Sequence, residues 1–358
     1  MSFRRLTSLL KRTALAFIAL VVMLVLGEMG ARTFAKATPP LALFPLPPVI
    51  TSSSLVVYSP GAGYRLAPNL HDVPAFDATV RTNERGIRMD RALEVEPRTR
   101  VRVACYGDSL TFGAGVSANE AYPAILQEKL RTFFPAHDID VINMGVPGHT
   151  VLRGEAFIAE TFADVLPDVI VAQYFSEDIT ASGILDSEVA PTSFVESFVR
   201  PWAGRSQLAA HVMAVCRPRT ERAILEARLP RVSAEDYLDA VKRIHGFCYR
   251  EGVEFLGVGP VYREAGMDAL EAERALEYQR YLRDLAGWQE IPVHFVDELN
   301  NSAKPEDAAL FRNSRQLSAA GHRLLGERLA ADLRRRVRTR LNELAENHPA
   351  IPQHTENE

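Results

Sequence analysis

The stretch from Val101 to Gly115 reads VRVACYGDSLTFGAG and places a serine where chemistry is expected. Its apolar first half is typical of a buried parallel strand, which Gly107, Asp108 and Ser109 end in a tight turn. In open α/β sheets, ligands bind beyond the carboxyl ends of the strands. A serine hydroxyl becomes a nucleophile only beside a general base and beside donors for the developing oxyanion. The rest of the chain must therefore supply a base and an oxyanion hole for Ser109.

Strand and helix patterns alternate along the chain after Val101. Apolar runs predict strands at 101–106, 139–143, 168–174, 253–258 and 292–296. Helical spacing of apolar residues predicts helices at 121–134, 151–163, 234–250, 268–286 and 318–345. This alternation predicts an α/β domain over 101–345, with a doubly wound, five-stranded parallel sheet covered on both faces. The gap at about 179–231 is too long for a single connection. It is expected to hold an insertion, which could be helical and could lie over the site.

The first 37 residues differ in composition from the rest. Four basic residues precede an uncharged apolar run from Ala14 to Gly27. The run is short for a spanning helix and suits the core of a signal peptide. Because the cleavage-like Ala35-Lys36-Ala37 lies far beyond it, an uncleaved membrane anchor is favoured over a cleaved signal and over a buried globular helix. The basic residues before the run predict a cytoplasmic N-terminus and an extracytoplasmic remainder.

Three further segments complete the predicted organisation. A proline-rich spacer covers 38–57, a lead-in subdomain of irregular structure or short strands covers 58–100, and a polar, disordered tail covers 346–358. The 358 residues include 45 acidic and 41 basic side chains, a net charge of -4, which gives no electrostatic reason to expect a nucleic-acid partner. Three cysteines are too few for a disulfide framework, and three reduced thiols are favoured over a Cys216–Cys248 bridge.

Two motifs resemble those of the SGNH/GDSL hydrolase family. GDSLTFGAGV follows the first predicted strand, and VINMGVPG follows the second. The resemblance covers roughly residues 101 to 333, and TNERGIR at 82–88 is similar to the lead-in of membrane-anchored bacterial members. It implies a flavodoxin-like sheet and hydrolysis of acyl esters without a cofactor or a metal. It also implies that Ser109 is the nucleophile and that Gly148 contributes to the oxyanion hole.

The third and last motifs depart from the family's pattern. The family has Gly-x-Asn-Asp, whereas this chain has Phe-Ser-Glu-Asp, so Glu177 stands at the position of the oxyanion asparagine. An ionised carboxylate only accepts hydrogen bonds, and losing one oxyanion donor costs about 3 to 4 kcal/mol. A Glu177 protonated through burial could still donate. The family's last motif is Asp-x-x-His, and Asn313 and Gln316 stand at those two positions, where neither can take a proton from Ser109.

No aspartate lies three residues before any of the nine histidines. His149, next to Gly148, is the candidate substitute base. The alternative interpretation is that His149 is a surface or structural histidine on a loop. His322 is less favoured as a base. Asp108 is expected to hold its turn through backbone amides rather than to polarise a water.

Two functions remain open. One is an envelope esterase or acyl transferase that uses Ser109, with weak, altered or lost activity and an acyl-ester ligand. The other is a non-catalytic binding module for an envelope glycan, a lipid or a partner protein. Because base, orienter and oxyanion donor are replaced together, the sequence favours the loss of ordinary triad activity.

Overall fold

The computed structural model describes residues 3–34, 53–89, 91–94, 100–181, 186, 199–202, 205–216, 228–299 and 309–347. The chain divides into two compact units, Met1–Pro45 with Ala190–Arg219, and Leu46–Val189 with Thr220–Glu358. Most of the predicted spacer, much of the predicted insertion and nearly all of the predicted tail lie outside the described residues.

The described strands are, in chain order, β1 Val56–Ser59, β2 Gly63–Leu66, β3 Val73–Ala75, β4 Ala78–Val80, β5 Val101–Gly107, β6 Ile139–Gly145, β7 Val169–Gln173, β8 Glu254–Val258 and β9 Val293–His294. The described helices are α1 Phe3–Phe34, α2 Ser109–Phe112, α3 Tyr122–Phe133, α4 Val151–Val165, α5 Gln207–Cys216, α6 Ala234–Arg250, α7 Ala269–Trp288 and α8 Ala319–Asn347.

The larger unit is built on a five-stranded parallel sheet in the order β6-β5-β7-β8-β9. Every residue of the central strand β5 is buried, as expected for a parallel strand covered on both faces. On one face Val103 and Cys105 join a core that includes residues of α3 and α8. On the other face the Tyr106 ring meets Phe157 of α4, with ring centroids 5.9 Å apart. The predicted doubly wound α/β fold is therefore confirmed.

The carboxyl ends of three strands meet at the predicted site. Gly107 at the end of β5 lies opposite Gly145 of β6 and Gln173 of β7. A side chain at Gly107 would place its Cβ 2.0 Å from Thr111 Oγ1, and one at Gly145 would place its Cβ 2.2 Å from the Phe112 amide nitrogen. These two glycines let the short helix α2 pack directly on the strand ends.

The edge strand is shorter than the pattern at 292–296 predicts. Only Val293 and His294 pair with β8, and a 3-10 turn follows at Asp297–Leu299. Pro292 has no amide hydrogen to contribute to a ladder, which explains the late start of β9.

The lead-in consists of two antiparallel hairpins, β1 with β2 and β3 with β4. The first strand starts at Val56, inside the range predicted for the spacer. Short strands were expected in this region, and their buried positions include Tyr64 and Val80.

The smaller unit contains α1 and α5. Leu15–Thr33 within α1 is apolar and long enough to cross a membrane, by length and composition. The predicted insertion contributes a 3-10 turn at Arg200–Trp202 and the helix α5 to this unit. In the larger unit, Cys105 and Cys248 are buried free thiols.

Candidate functional site

Ser109 is the first residue of α2, directly after β5, and only 4% of its surface is exposed. Asp108 caps this helix, since its Oδ1 accepts a hydrogen bond of 2.8 Å from the Leu110 amide. The expected role of Asp108 in holding the turn is confirmed by this bond. Among the described residues, the Ser109 hydroxyl has no hydrogen-bond partner. No group of the described residues is therefore in place to accept its proton.

The second oxygen of Asp108 ties the Ser109 turn to the loop after β7. Its Oδ2 accepts hydrogen bonds from the Ser176 hydroxyl at 2.9 Å and from the Ser176 amide at 3.3 Å. Burial raises the pKa of Asp108 to about 7, an effect that the charge of Glu177 reinforces and that the hydrogen bonds oppose. Asp108 thus changes protonation near neutral pH.

The second-motif loop lies against the base of the same turn. The Val146 amide donates to the Gly107 carbonyl at 2.9 Å. Gly148 has a φ of 81°, in the left-handed region that favours glycine. Backbone geometry alone thus gives a reason for a glycine at position 148, and its role in the oxyanion hole stays a prediction.

Glu177 follows Ser176 and accepts a hydrogen bond from a buried cation. Arg231 Nη1 donates to Glu177 Oε2 at 3.0 Å, and 13% of the glutamate side chain is exposed. Burial raises the pKa of Glu177, whereas the nearby charges of Arg231 and Arg315 lower it. The oxygen that faces Arg231 is an acceptor, so this ion pair works against the protonated, donating form that an oxyanion hole would need.

The same arginine belongs to a buried charge network that sequence reasoning missed. Asp186 Oδ2 accepts hydrogen bonds from Arg231 Nη2 at 2.7 Å, from Arg153 Nε at 2.9 Å and from the Thr150 hydroxyl at 2.6 Å. The side chains of Asp186, Arg153 and Arg231 are fully buried. Against the effect of burial, the two guanidinium groups hold the pKa of Asp186 at about 2. The network fixes the arginine that holds Glu177.

The last-motif loop, residues 311–317, pairs the side chains of Asn313 and Gln316. Asn313 Nδ2 donates to Gln316 Oε1 at 3.0 Å. Asn313 Oδ1 accepts from the amides of Arg315 at 2.9 Å and Gln316 at 2.8 Å. An aspartate and a histidine at these positions could form an orienter–base pair, but two carboxamides cannot take a proton at neutral pH.

Arginines join this loop to the other two. Arg312 Nη1 donates to the carbonyl of Gly115, in the segment that follows α2. Arg315 Nη1 donates to Thr180 Oγ1 at 2.6 Å, three residues after Glu177. Together with the Asp108–Ser176 bonds, these contacts bring the loops that carry Ser109, Glu177 and Asn313 to one edge of the sheet.

His149 lies in the interior rather than in an open crevice. It is fully buried, and its Nε2 donates to the Tyr64 carbonyl at 2.9 Å. Burial, helped by the charge of Arg153, lowers the pKa of His149 to about 3. Such an imidazole is a weak base at neutral pH. No hydrogen bond within the described chain joins it to Ser109, so its role as substitute base has no geometric support.

His322 stabilises a helix end. Its Nδ1 accepts a hydrogen bond of 3.3 Å from the Tyr122 amide at the start of α3, where Ala121 offers no capping side chain. Burial lowers the pKa of His322 to about 3. His322 thus satisfies an amide at the start of α3, which is a structural role.

The lead-in supports the Ser109 turn through Arg88, a second feature that sequence reasoning did not assign. Arg88 is buried and donates to the carbonyls of Phe112, Gly113 and Val116. Its guanidinium carbon lies 4.2 Å from the centroid of the Phe112 ring. The signal in the sequence was the TNERGIR stretch, which ends at this arginine.

No protein-family model matches the chain, and no curated protein matches it. Several solved structures do. A protein assigned to the lipolytic G-D-S-L family, from Desulfitobacterium hafniense, is 16% identical over 65% of this chain and 99% of its own, with a TM-score of 0.42. The acetylxylan esterase Axe2 from Geobacillus stearothermophilus is 17% identical over 65% of this chain and 94% of its own, with a TM-score of 0.43. TesA is 14% identical over 65% and 98%, with a TM-score of 0.42.

Proposed function

We propose that this chain is an SGNH/GDSL-type protein of the cell envelope, related to ester hydrolases, in which triad hydrolysis at Ser109 is weak or lost. One observation carries the proposal. Asn313 and Gln316 hold each other in the geometry of an orienter and a base, yet neither accepts a proton. The Ser109 hydroxyl has no hydrogen-bond partner in the described chain, although the Ser109 carbonyl accepts the amides of Gly113 and Ala114.

The chemistry that remains is limited by the missing proton acceptor. Attack of the Ser109 hydroxyl on an acyl carbon requires removal of its proton, and a general base contributes about 10²- to 10⁴-fold to such a step. The carboxylate form of Glu177, which the ion pair with Arg231 favours, adds a second obstacle, because its charge opposes the negative charge of a tetrahedral intermediate. Both effects lower the rate of ester hydrolysis without altering the fold.

The direct test is reaction of the purified full chain with a fluorophosphonate probe, beside the variant Ser109→Ala. Because an unactivated serine reacts slowly, we expect wild-type labelling close to that of Ser109→Ala. Rapid labelling that disappears in Ser109→Ala would overturn the proposal. A matched assay with p-nitrophenyl acetate measures turnover in the same samples.

A second candidate function is a binding module for an uncharged polar ligand such as a glycan. The observation that favours it is the donor pattern. The Gln316 amide nitrogen and the Ser109 hydroxyl are without partners in the described part of the chain, so both are free to bond a ligand. Calorimetric titration of wild type and Gln316→Ala with envelope oligosaccharides tests this function. Binding by the wild type that Gln316→Ala weakens would support it, and no binding to any of them would count against it.

The envelope setting is the remaining part of the proposal. The basic residues that precede the apolar segment of α1 favour a cytoplasmic N-terminus. A phosphatase reporter fused after Glu358 should then be active, on the extracytoplasmic side of the membrane. Location of the fused reporter in the cytoplasm would overturn this placement.

A further inference from the structure

The outer part of α1 is bonded to the start of α5 through one carboxylate. Glu28 Oε2 accepts hydrogen bonds from the Ser206 hydroxyl at 2.7 Å and the Leu208 amide at 3.0 Å. Glu28 Oε1 accepts from the Gln207 amide at 3.1 Å and from Arg32 Nε at 2.6 Å. The carboxylate thus caps α5 while a cation on its own helix balances its charge.

The position of Glu28 along α1 gives the depth of this contact. Glu28 lies inside the apolar segment Leu15–Thr33, five residues before its end. With a rise of about 1.5 Å per residue, it sits about 7 to 8 Å inside that end. Ionisable residues at such depth are expected to be paired with other polar groups. In this unit α5 provides two of the four donors and Ser206, directly before α5, provides a third, so the start of α5 lies at the depth of Glu28.

The composition and length of α5 are also compatible with a position at the depth of Glu28. Gln207–Cys216 reads QLAAHVMAVC and contains no Asp, Glu, Lys or Arg. At ten residues it is about 15 Å long, too short to cross a membrane and of the length typical of interfacial or re-entrant segments. A Cβ on Gly27 would lie 3.1 Å from Leu208, so the two helices are in close contact.

An exposed tryptophan is fixed to the start of this helix. The Trp202 carbonyl accepts hydrogen bonds from the amides of Arg205 and Ser206, both at 2.9 Å. The Trp202 side chain is 57% exposed. Tryptophan is enriched where membrane and water meet, because its ring is apolar and its N–H is polar.

We propose that α5 and the turn at Trp202 form a second membrane contact, seated in the outer interface of the bilayer beside α1. The partner of this surface is the lipid bilayer. The helix α5 without Asp, Glu, Lys or Arg, the position of Glu28 inside the apolar segment and the exposed Trp202 carry the proposal together. It rests on the proposed anchoring by α1 and adds that part of the 179–231 insertion belongs to the membrane-bound unit.

The chain's two tryptophans allow a selective test. The full chain is reconstituted into phosphatidylcholine vesicles with or without brominated acyl chains. Trp288→Phe leaves Trp202 as the fluorophore, and Trp202→Phe leaves Trp288, which is 88% exposed on α7 of the other unit. We expect bromine near the headgroups to remove about half of the Trp202 emission or more, because an interfacial ring lies within reach of it. Trp202 emission unaffected by bromine would overturn the proposal.

Flotation of the same vesicles separates this inference from the anchoring on which it rests. Protein that fails to float would refute the anchoring. Protein that floats while its Trp202 remains unquenched would refute only the contact made by α5. In the Trp288→Phe background, Glu28→Ala should reduce Trp202 quenching at least by half without changing flotation, because the start of α5 loses its acceptor. Unchanged quenching in that variant would refute the role of Glu28.

Discussion

The Ser109 turn and the last-motif loop at 311–317 are built alike and differ in chemistry. In each, one side-chain oxygen accepts backbone amides a few residues ahead: Asp108 from Leu110, and Asn313 from Arg315 and Gln316. The first turn is buried and carries Ser109, whereas the Asn313 side chain is exposed and its partner Gln316 is no base. An amide oxygen shapes such a turn as well as a carboxylate oxygen does. A turn of this kind can therefore keep its shape with a side chain that cannot accept a proton.

Restoring the chemistry of the last-motif loop gives the largest expected effect. If positions 313 and 316 face Ser109, as the resemblance implies, Asn313→Asp with Gln316→His should supply an orienter and a general base and raise the rate of p-nitrophenyl acetate hydrolysis by about 10²- to 10⁴-fold. Adding Glu177→Asn should bring a further gain of about 10²-fold or more if position 177 faces the oxyanion. Arg231 keeps Asp186 as its partner in that variant.

The control for this restoration is Ser109→Ala in the same background, which should abolish the gain. A folded double variant with no more activity than wild type would show that the last-motif loop does not present its side chains to Ser109.

The buried acid of the first turn should make stability depend on pH. The pKa of Asp108 is raised from its ordinary 3.8 to about 7 by burial. The folded state therefore holds a proton that the unfolded state releases, and the contribution of Asp108 to stability falls as pH rises from 4 to 7. At about 1.4 kcal/mol per unit, the change approaches 4 kcal/mol.

Urea unfolding of wild type and Asp108→Asn at pH 4.5, 6 and 7.5 measures this contribution. The stability of wild type relative to the variant should decrease with rising pH. Taking the difference removes the opposing effect of His149 and His322, whose low pKa values reduce stability as pH falls below 6.5. A pH-independent difference would contradict the prediction.

Removing the hydrogen bonds by which Arg88 of the lead-in supports the first turn should lower the unfolding free energy by several kcal/mol. Arg88→Ala leaves the carbonyls of Phe112, Gly113 and Val116 without their donor, and we expect a loss of about 3 kcal/mol in unfolding free energy. Arg85→Ala is the matched control. Arg85 is more exposed and bonds the Asp164 carbonyl, so its removal should cost less than about 1 kcal/mol. Equal losses in the two variants would contradict this role of Arg88.

The smallest expected effects are changes in stability that show which side chain holds the last-motif loop in its conformation. Asn313→Ala removes the acceptor of two amides and should cost about 1 kcal/mol. Asn313→Asp keeps that oxygen, and both it and Gln316→Ala should stay within about 0.5 kcal/mol of wild type. Thermal unfolding of the three variants provides the comparison. A larger loss in Gln316→Ala than in Asn313→Ala would mean that the glutamine, rather than the asparagine, shapes the loop.

Much of the fold was predictable because its signals are local. Apolar runs ending in glycine mark β5 and β6, and the helical spacing at 234–250 coincides with α6. The turn at Asp108 was also predictable, since an aspartate oxygen reaches amides only a few residues away. The edge strand was predicted too long. Pro292 has no amide hydrogen for the ladder, and the pairing with β8 ends at His294.

The sequence by itself determined the α/β order of elements and the position of Ser109 at a strand end, and it predicts that the residues able to activate Ser109 are replaced. Only the tertiary structure decided that His149 is buried against Tyr64, that Arg231 holds Glu177 and that Asp186 joins Arg153 to Arg231. These contacts connect residues far apart in the chain. Burial and charge pairing, which set their protonation, depend on neighbours that folding alone brings together.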